Sequence, residues 1–159
     1  MACELVSEEF ENSKGEKILF ATRQLSAKDA LDLQVELVGK LGNSVFPFID
    51  GHYNFGDLIA FMSRADNKVI SELMIRVVCK VVKEGQEIKP ATVNYHFDGE
   101  LMLLCKVFAF VLEANFKAFF KQGLEMNAQF KLAEAERLKQ EELKSTPAPQ
   151  TTLPENSPT

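Results

Sequence analysis

The chain has 159 residues, 46% of them hydrophobic and 26% charged, with a formal net charge of −5. Those values fit one globular domain, and an acidic balance with no basic run excludes a protein that tracks phosphates along nucleic acid. The longest apolar run, residues 101–112, contains Lys106 and is too short to cross a bilayer. The opening MACELVSEEF has no basic n-region and no apolar h-region, so no secretory signal is expected. Cys3, Cys79 and Cys105 are odd in number and far apart, and two of them sit in apolar runs. They read as reduced, buried thiols of a cytosolic protein, without a disulfide framework.

In chain order, residues 8–12 and 16–23 read as two strands of a hairpin. Between them, residues 12–15 (NSKG) supply the turn, and Ile18, Phe20 and Thr22 alternate with Leu19, Ala21 and Arg23. Ser26 and Asp29 then make a capping signal for a helix over 27–41, which Gly42 stops. Residues 43–53 are expected to form turns or one short helical piece, broken by Pro47 and Gly51. A second helix is read over 55–63, capped by Asn54 with Asp57 three residues on. The stripe Ile70, Leu73, Met74, Val77, Val78, Val81 predicts a third helix over 67–83, with Asp66 as its cap.

Residues 84–95 hold Gly85 and Pro90 and read as a loop, with a short strand at 91–93. A long fourth helix is expected over 98–120. It is apolar on nearly every side between 101 and 112, as the central helix of a bundle would be. Gly123 is expected to break it before a charged last helix over 124–143. Residues 145–159 (STPAPQTTLPENSPT) are rich in Pro, Thr and Ser and are expected to be disordered. The fold class is therefore mainly α: an N-terminal β-hairpin segment (1–25), a helical core (26–122), a charged helix (123–144) and a tail (145–159), with about four to five helices in all.

The sequence holds little that could do chemistry. His52 and His96 are the only histidines, and neither has a cysteine at nucleophile–base spacing. Asp50 and His52, with Asp57 nearby, are a thin metal set, because a structural site needs about four ligands. No glycine-rich phosphate loop and no paired carboxylates in an apolar setting occur, so no catalytic residue and no cofactor are expected. What is abundant is phenylalanine. There are 13, with no tryptophan, and 11 of them fall in 46–61 and 97–130. Phenylalanine has no polar tip, so it fills a core or makes an adhesive surface. Phe108, Phe110, Phe116, Phe119 and Phe120 are the residues read as a partner-binding face, a groove for an amphipathic helix.

Two segments carry a resemblance. The stretch TRQLSAKDALDLQ, from Thr22 to Gln34, resembles the opening of tail assembly chaperones of tailed bacteriophages. The second runs through Tyr95-His96-Phe97-Asp98-Gly99-Glu100, Lys106-Val107, Leu112-Glu113-Ala114-Asn115-Phe116 and Phe119-Phe120. It is similar to that family's "HF-x-Gly…Leu-x-x-Val…Val-Asn-Phe-x-x-Phe-Phe" segment. Ala114 stands where the pattern has Val, and Lys117-Ala118 where it has Gly-Asp. The likeness covers about residues 8–120.

It implies a non-enzymatic protein that binds the tape measure protein and keeps it soluble while the tail is built. It also implies help in recruiting tail tube subunits, work in the host cytoplasm and absence from the mature virion. Self-association is open, as is a longer frameshifted form. Neither nucleic acid nor membrane is an expected partner. The rival readings are a small structural or scaffold subunit of a phage particle, and a metal-binding protein using Asp50 and His52.

Overall fold

The computed structural model describes residues 3–63 and 67–145. Two antiparallel strands open it, β1 (Leu5–Glu11) and β2 (Lys17–Arg23), paired in register from Leu5↔Arg23 to Glu11↔Lys17. Ile18, Phe20 and Thr22 face inward while Leu19 and Arg23 face out, which is the alternation in the sequence. The hairpin is half of a larger sheet. Strands β3 (Val81–Lys83) and β4 (Gln86–Glu87) continue it in the order β1-β2-β3-β4, with Thr22 opposite Val81.

This corrects the third predicted helix. Helix α4 runs only Asn67–Val78, and residues 81–83 leave it for the sheet. The apolar stripe continues unbroken through Val81, but the Thr22 hydroxyl takes the Lys80 carbonyl at 3.1 Å and Val81 pairs with β2. Tertiary pairing overrides the helical period. Glu84 and Gly85, both at positive φ, then form the two-residue turn that leads into β4. The strand expected at 91–93 is absent. Pro90–Thr92 is a 3-10 turn and Val93–Phe97 a short helix, α5 in chain order.

The other early helices follow their capping chemistry. In α1 (Ala27–Leu41) the Ser26 side chain accepts the Asp29 N–H, and Gly42 ends the helix at φ 57°. Helix α2 (Phe46–Asp50) carries Pro47 in its first turn, where a missing N–H costs nothing, so Pro47 starts a helix there instead of breaking one. Helix α3 (Phe55–Met62) has the expected box, Asn54 accepting from the Asp57 N–H and Asp57 accepting from the Asn54 N–H. Asp66 lies outside the described residues.

The last helix, α6 (Leu101–Ser145), is a second correction. It starts after Gly99 at φ 70° and runs without interruption through Gly123. One glycine in a helix interior costs about 1 kcal/mol, and the strong helix formers on either side exceed that. The expected break between 120 and 124 is therefore not there. The helix reaches Ser145, the last described residue, and the rest of the predicted tail, 146–159, lies outside the described residues.

The chain divides into two units, Met1–Phe120 and Lys121–Thr159. The first contains the core. Leu103, Cys105, residues 107–112 and Phe116 of α6 are all buried. Phe110 meets Phe10 of the sheet at 5.6 Å between ring centroids, and Phe108 meets Phe61 of α3 at 5.5 Å and Phe48 of α2 at 6.4 Å. The apolar run thus has partners on both sides, which is why it is hydrophobic all round. In the second unit the described residues, 121–145, are helical and exposed throughout.

Candidate functional site

Two polar side chains decide where α1 lies against α6. The Leu25 N–H donates to Asn115 Oδ1 at 2.7 Å, and Gln24 Nε2 donates to the Ala114 carbonyl at 3.0 Å. Asn115 Nδ2 donates in turn to the Val111 carbonyl at 2.8 Å, which fixes its rotamer. The linker from β2 into α1 is thereby fastened to one turn of α6. The cap at Ser26 follows at once, so α1 leaves from a fixed point.

Helix α1 is apolar on two faces. Leu33, Leu37 and Leu41 are buried at spacings of four and point into the core. Leu31, Val35 and Val38 make a second stripe that stays in solvent, at 62%, 65% and 39% exposure. Beside that stripe Ala27, Ala30, Leu31 and Gln34 of α1 face Asn115, Phe116 and Phe119 of α6 across a groove of about 360 Å³. Phe116 lies at its floor, buried, while Phe119 stands at its edge, 63% exposed. Gln34 Oε1 is buried and has no hydrogen-bond partner among the described residues.

The five phenylalanines read as a binding face are therefore divided. Phe108 and Phe110 are core residues, Phe116 is the groove floor, and Phe119 is open to solvent. Phe120 is half-buried, edge-on to Phe46 at 5.1 Å and to Phe119 at 5.3 Å. Sequence reasoning missed the α1 half of the groove. Its signal was present as Leu31, Val35 and Val38, spaced as a second apolar stripe on a helix whose first stripe was already sufficient for the core. A second hollow, of about 330 Å³, lies between Ile70 and Met74 of α4 and Leu101 and Cys105 of α6. Ser71 and Asn94 make its wall more polar.

Asp50 and His52 do meet, with Nδ1 3.2 Å from Oδ2, at a site open to solvent. Asp57 is engaged in the α3 cap instead. Among the described residues no group of three or more His, Cys, Asp or Glu side chains is placed to hold a metal ion. Burial raises the thiol pKa of Cys105 and of half-buried Cys79, which keeps both protonated and unreactive. Burial, and then Lys83 beside it, lower the pKa of His96. No helix of the described residues is long and apolar enough to cross a membrane.

No curated protein and no solved structure gives a significant match to the chain. One family model does match, over residues 15–128, and its description is phage tail assembly chaperone protein, TAC. That span takes in β2, α1, the whole core and both walls of the groove. The chain belongs to the phage tail assembly chaperone family.

Proposed function

We propose that the chain binds the tape measure protein during tail assembly by taking an apolar helical stretch of it into the groove between α1 and α6. This keeps that long chain soluble in the host cytoplasm until tail tube subunits cover it, and the chaperone is then released and is missing from the mature virion. The chain works without catalysis. The observation that carries the reading is the pair Leu31 and Phe119, two large apolar side chains standing exposed on either side of a groove floored by Phe116. Exposed apolar side chains grouped around a groove mark a binding surface, and a helix-lined groove suits an amphipathic helix with anchors three and four residues apart.

The energetics suit a holder that lets go. Each Leu- or Phe-sized side chain taken out of water contributes about 1.5–3 kcal/mol before the cost of ordering the client, so a few anchors hold it reversibly.

Co-expression with the tape measure protein of the same genome tests this. Wild-type chain should keep the client in the soluble fraction, and a Leu31→Glu/Phe119→Glu variant should not. Equal client solubility with and without the chain would sink the reading. Mass spectrometry of purified particles tests release. A chain abundant in finished particles would instead be a structural or scaffold subunit.

A further inference from the structure

We propose that the free edge of β1 is a second docking site, where an extended segment of another protein, carrying Lys or Arg, adds to the sheet as a further strand. The edge is formed by other residues than the groove, so neither site depends on the other.

The sheet runs β1-β2-β3-β4, so β1 has a partner on one side only. The Gln24 N–H donates to the Glu4 carbonyl and the Asn12 N–H to the Glu16 carbonyl, both at 2.9 Å. In an antiparallel ladder, successive residues turn their backbone groups alternately toward the partner strand and away from it. The register is unbroken between those two bonds, so Val6, Glu8 and Phe10 face β2 while Leu5, Ser7, Glu9 and Glu11 face outward. All four outward residues are exposed, and their N–H groups have no partner among the described residues. Such a row of unpaired N–H and C=O groups is a template for another strand. The core is also unfinished at this edge. Val6 and Phe10 pack against it from β1 yet are only partly buried, and a strand beside them would cover what remains.

Charge selects the occupant. Strand β1 carries Glu8, Glu9 and Glu11 and no cation. Glu9 and Glu11 lie on the solvent face of the sheet, opposite Leu19 and Lys17. Glu8 shares the inner face with Val6 and Phe10 but stays exposed at the edge. Even there burial, and then Glu113 of α6, raise its pKa, so its charge is poorly compensated. A strand set along β1 withdraws that carboxylate further from water, which is unfavourable unless the strand brings a cation. Unlike charges directly opposite across two strands attract, and like charges repel. A second β1 would set glutamates beside glutamates, so the edge suits a basic segment and disfavours another copy. Main-chain bonds would then supply affinity and the glutamates specificity.

The test uses the full chain and two heptapeptides. Lys-Val-Lys-Lys-Thr-Val-Thr, running antiparallel to β1, places Lys opposite Glu11, Glu9 and Glu8. The second peptide has Glu at those positions. Amide hydrogen exchange is read residue by residue by NMR. In the free chain the Val6, Glu8 and Phe10 amides should exchange slowly and those of Ser7, Glu9 and Glu11 fast. The Lys peptide should slow the second set and bind about tenfold more tightly than the Glu peptide. Ser7→Pro removes an outward N–H without taking a bond from β2, so it should abolish binding and leave the hairpin paired. Glu9→Lys, at an exposed position, should narrow the preference for the Lys peptide by about threefold or more, and it decides the matter if Ser7→Pro unfolds the hairpin.

Outward amides already protected in the monomeric free chain would show the edge to be covered and overturn the proposal. So would a failure of the Lys peptide to slow them, equal affinity for the two peptides, a preference unchanged by Glu9→Lys, or binding that survives Ser7→Pro. A wild-type dimer in which the same amides are slowed would overturn the basic occupant, because the edge would then belong to a second copy.

Discussion

Asn115 of α6 accepts the Leu25 N–H at 2.7 Å, and through that bond the entry to α1 is fixed against the helix it faces across the groove. Asn115→Ala should destabilise the fold by about 1–3 kcal/mol, because it leaves the part-buried Leu25 amide without an acceptor. Binding to the groove should weaken beyond what the stability loss explains, since α1 would no longer be anchored. Asn115→Asp keeps an acceptor oxygen and should lie much closer to wild type. Urea denaturation of the three proteins measures this, and an Asp variant as unstable as the Ala variant would contradict it.

The five phenylalanines should separate by experiment as they do by exposure. Phe108→Ala opens the core between α2, α3 and α6 and should cost about 3–5 kcal/mol. Phe119→Ala removes a ring that is 63% exposed and should change stability by no more than about 0.5 kcal/mol. Its effect should appear in client solubility. Thermal melts and the co-expression assay, run in parallel, read the two consequences apart. A Phe119→Ala chain that melts as low as Phe108→Ala would refute the division.

The elements that could be read from sequence are those whose cause is local. The bounds of α1 and the start of α3 follow from Ser26, Asp29, Gly42, Asn54 and Asp57, residues that act within one turn of themselves. The parts that could not be read depend on partners far away in the chain. Val81 continues the helical stripe of Val77 and Val78, and only Thr22 makes it a strand residue. Likewise Phe108 and Phe119 are the same residue type on the same helix, and it is Phe48 and Phe61 that bury one and leave the other in solvent. Gly123 misled in the other direction, because its local cost was outweighed by its neighbours.

Glu36 gives the fold a signed dependence on acid. Arg76 of α4 grips its carboxylate with two N–H···O bonds of 2.6 and 2.9 Å, and Lys40 adds a third at 2.7 Å. Hydrogen bonds from Arg76 first and then Lys40 lower its pKa from 4.5 to about 2. A carboxyl with a depressed folded pKa stabilises the native state above its unfolded pKa, and that contribution fades as pH falls from about 4.5 through about 2. With Arg76 about half exposed, screening limits the pair to about 1 kcal/mol or less. Arg76→Ala should lose that amount at neutral pH and show a shallower acid dependence than wild type. Denaturation midpoints taken across the acid range decide it, and parallel curves would refute the assignment.

Gly51 should resist replacement for two separable reasons. It ends α2 at φ 80°, and a Cβ there would lie 2.9 Å from the carboxyl carbon of Glu113. Gly51→Ala should cost roughly 1–3 kcal/mol from backbone strain plus the clash. Adding Glu113→Ala should recover the part due to the clash and leave the strain. If the double variant is no more stable than Gly51→Ala alone, the carboxyl is not what limits the site.

The sheet also has a history in time. Strand β2 meets β1 across a short turn, but its other edge waits for β3, and the Thr22–Lys80 bond joins residues 58 apart in sequence. At about 5–20 residues per second, a ribosome needs roughly 3–12 s to make the intervening chain. During that interval the nascent β2 presents an open edge and the bare face of Phe20, a template for pairing with another strand. A chain of the tail assembly chaperone family thus begins its own life with apolar surface uncovered, closed only when α4 has been laid down and β3 returns to the sheet.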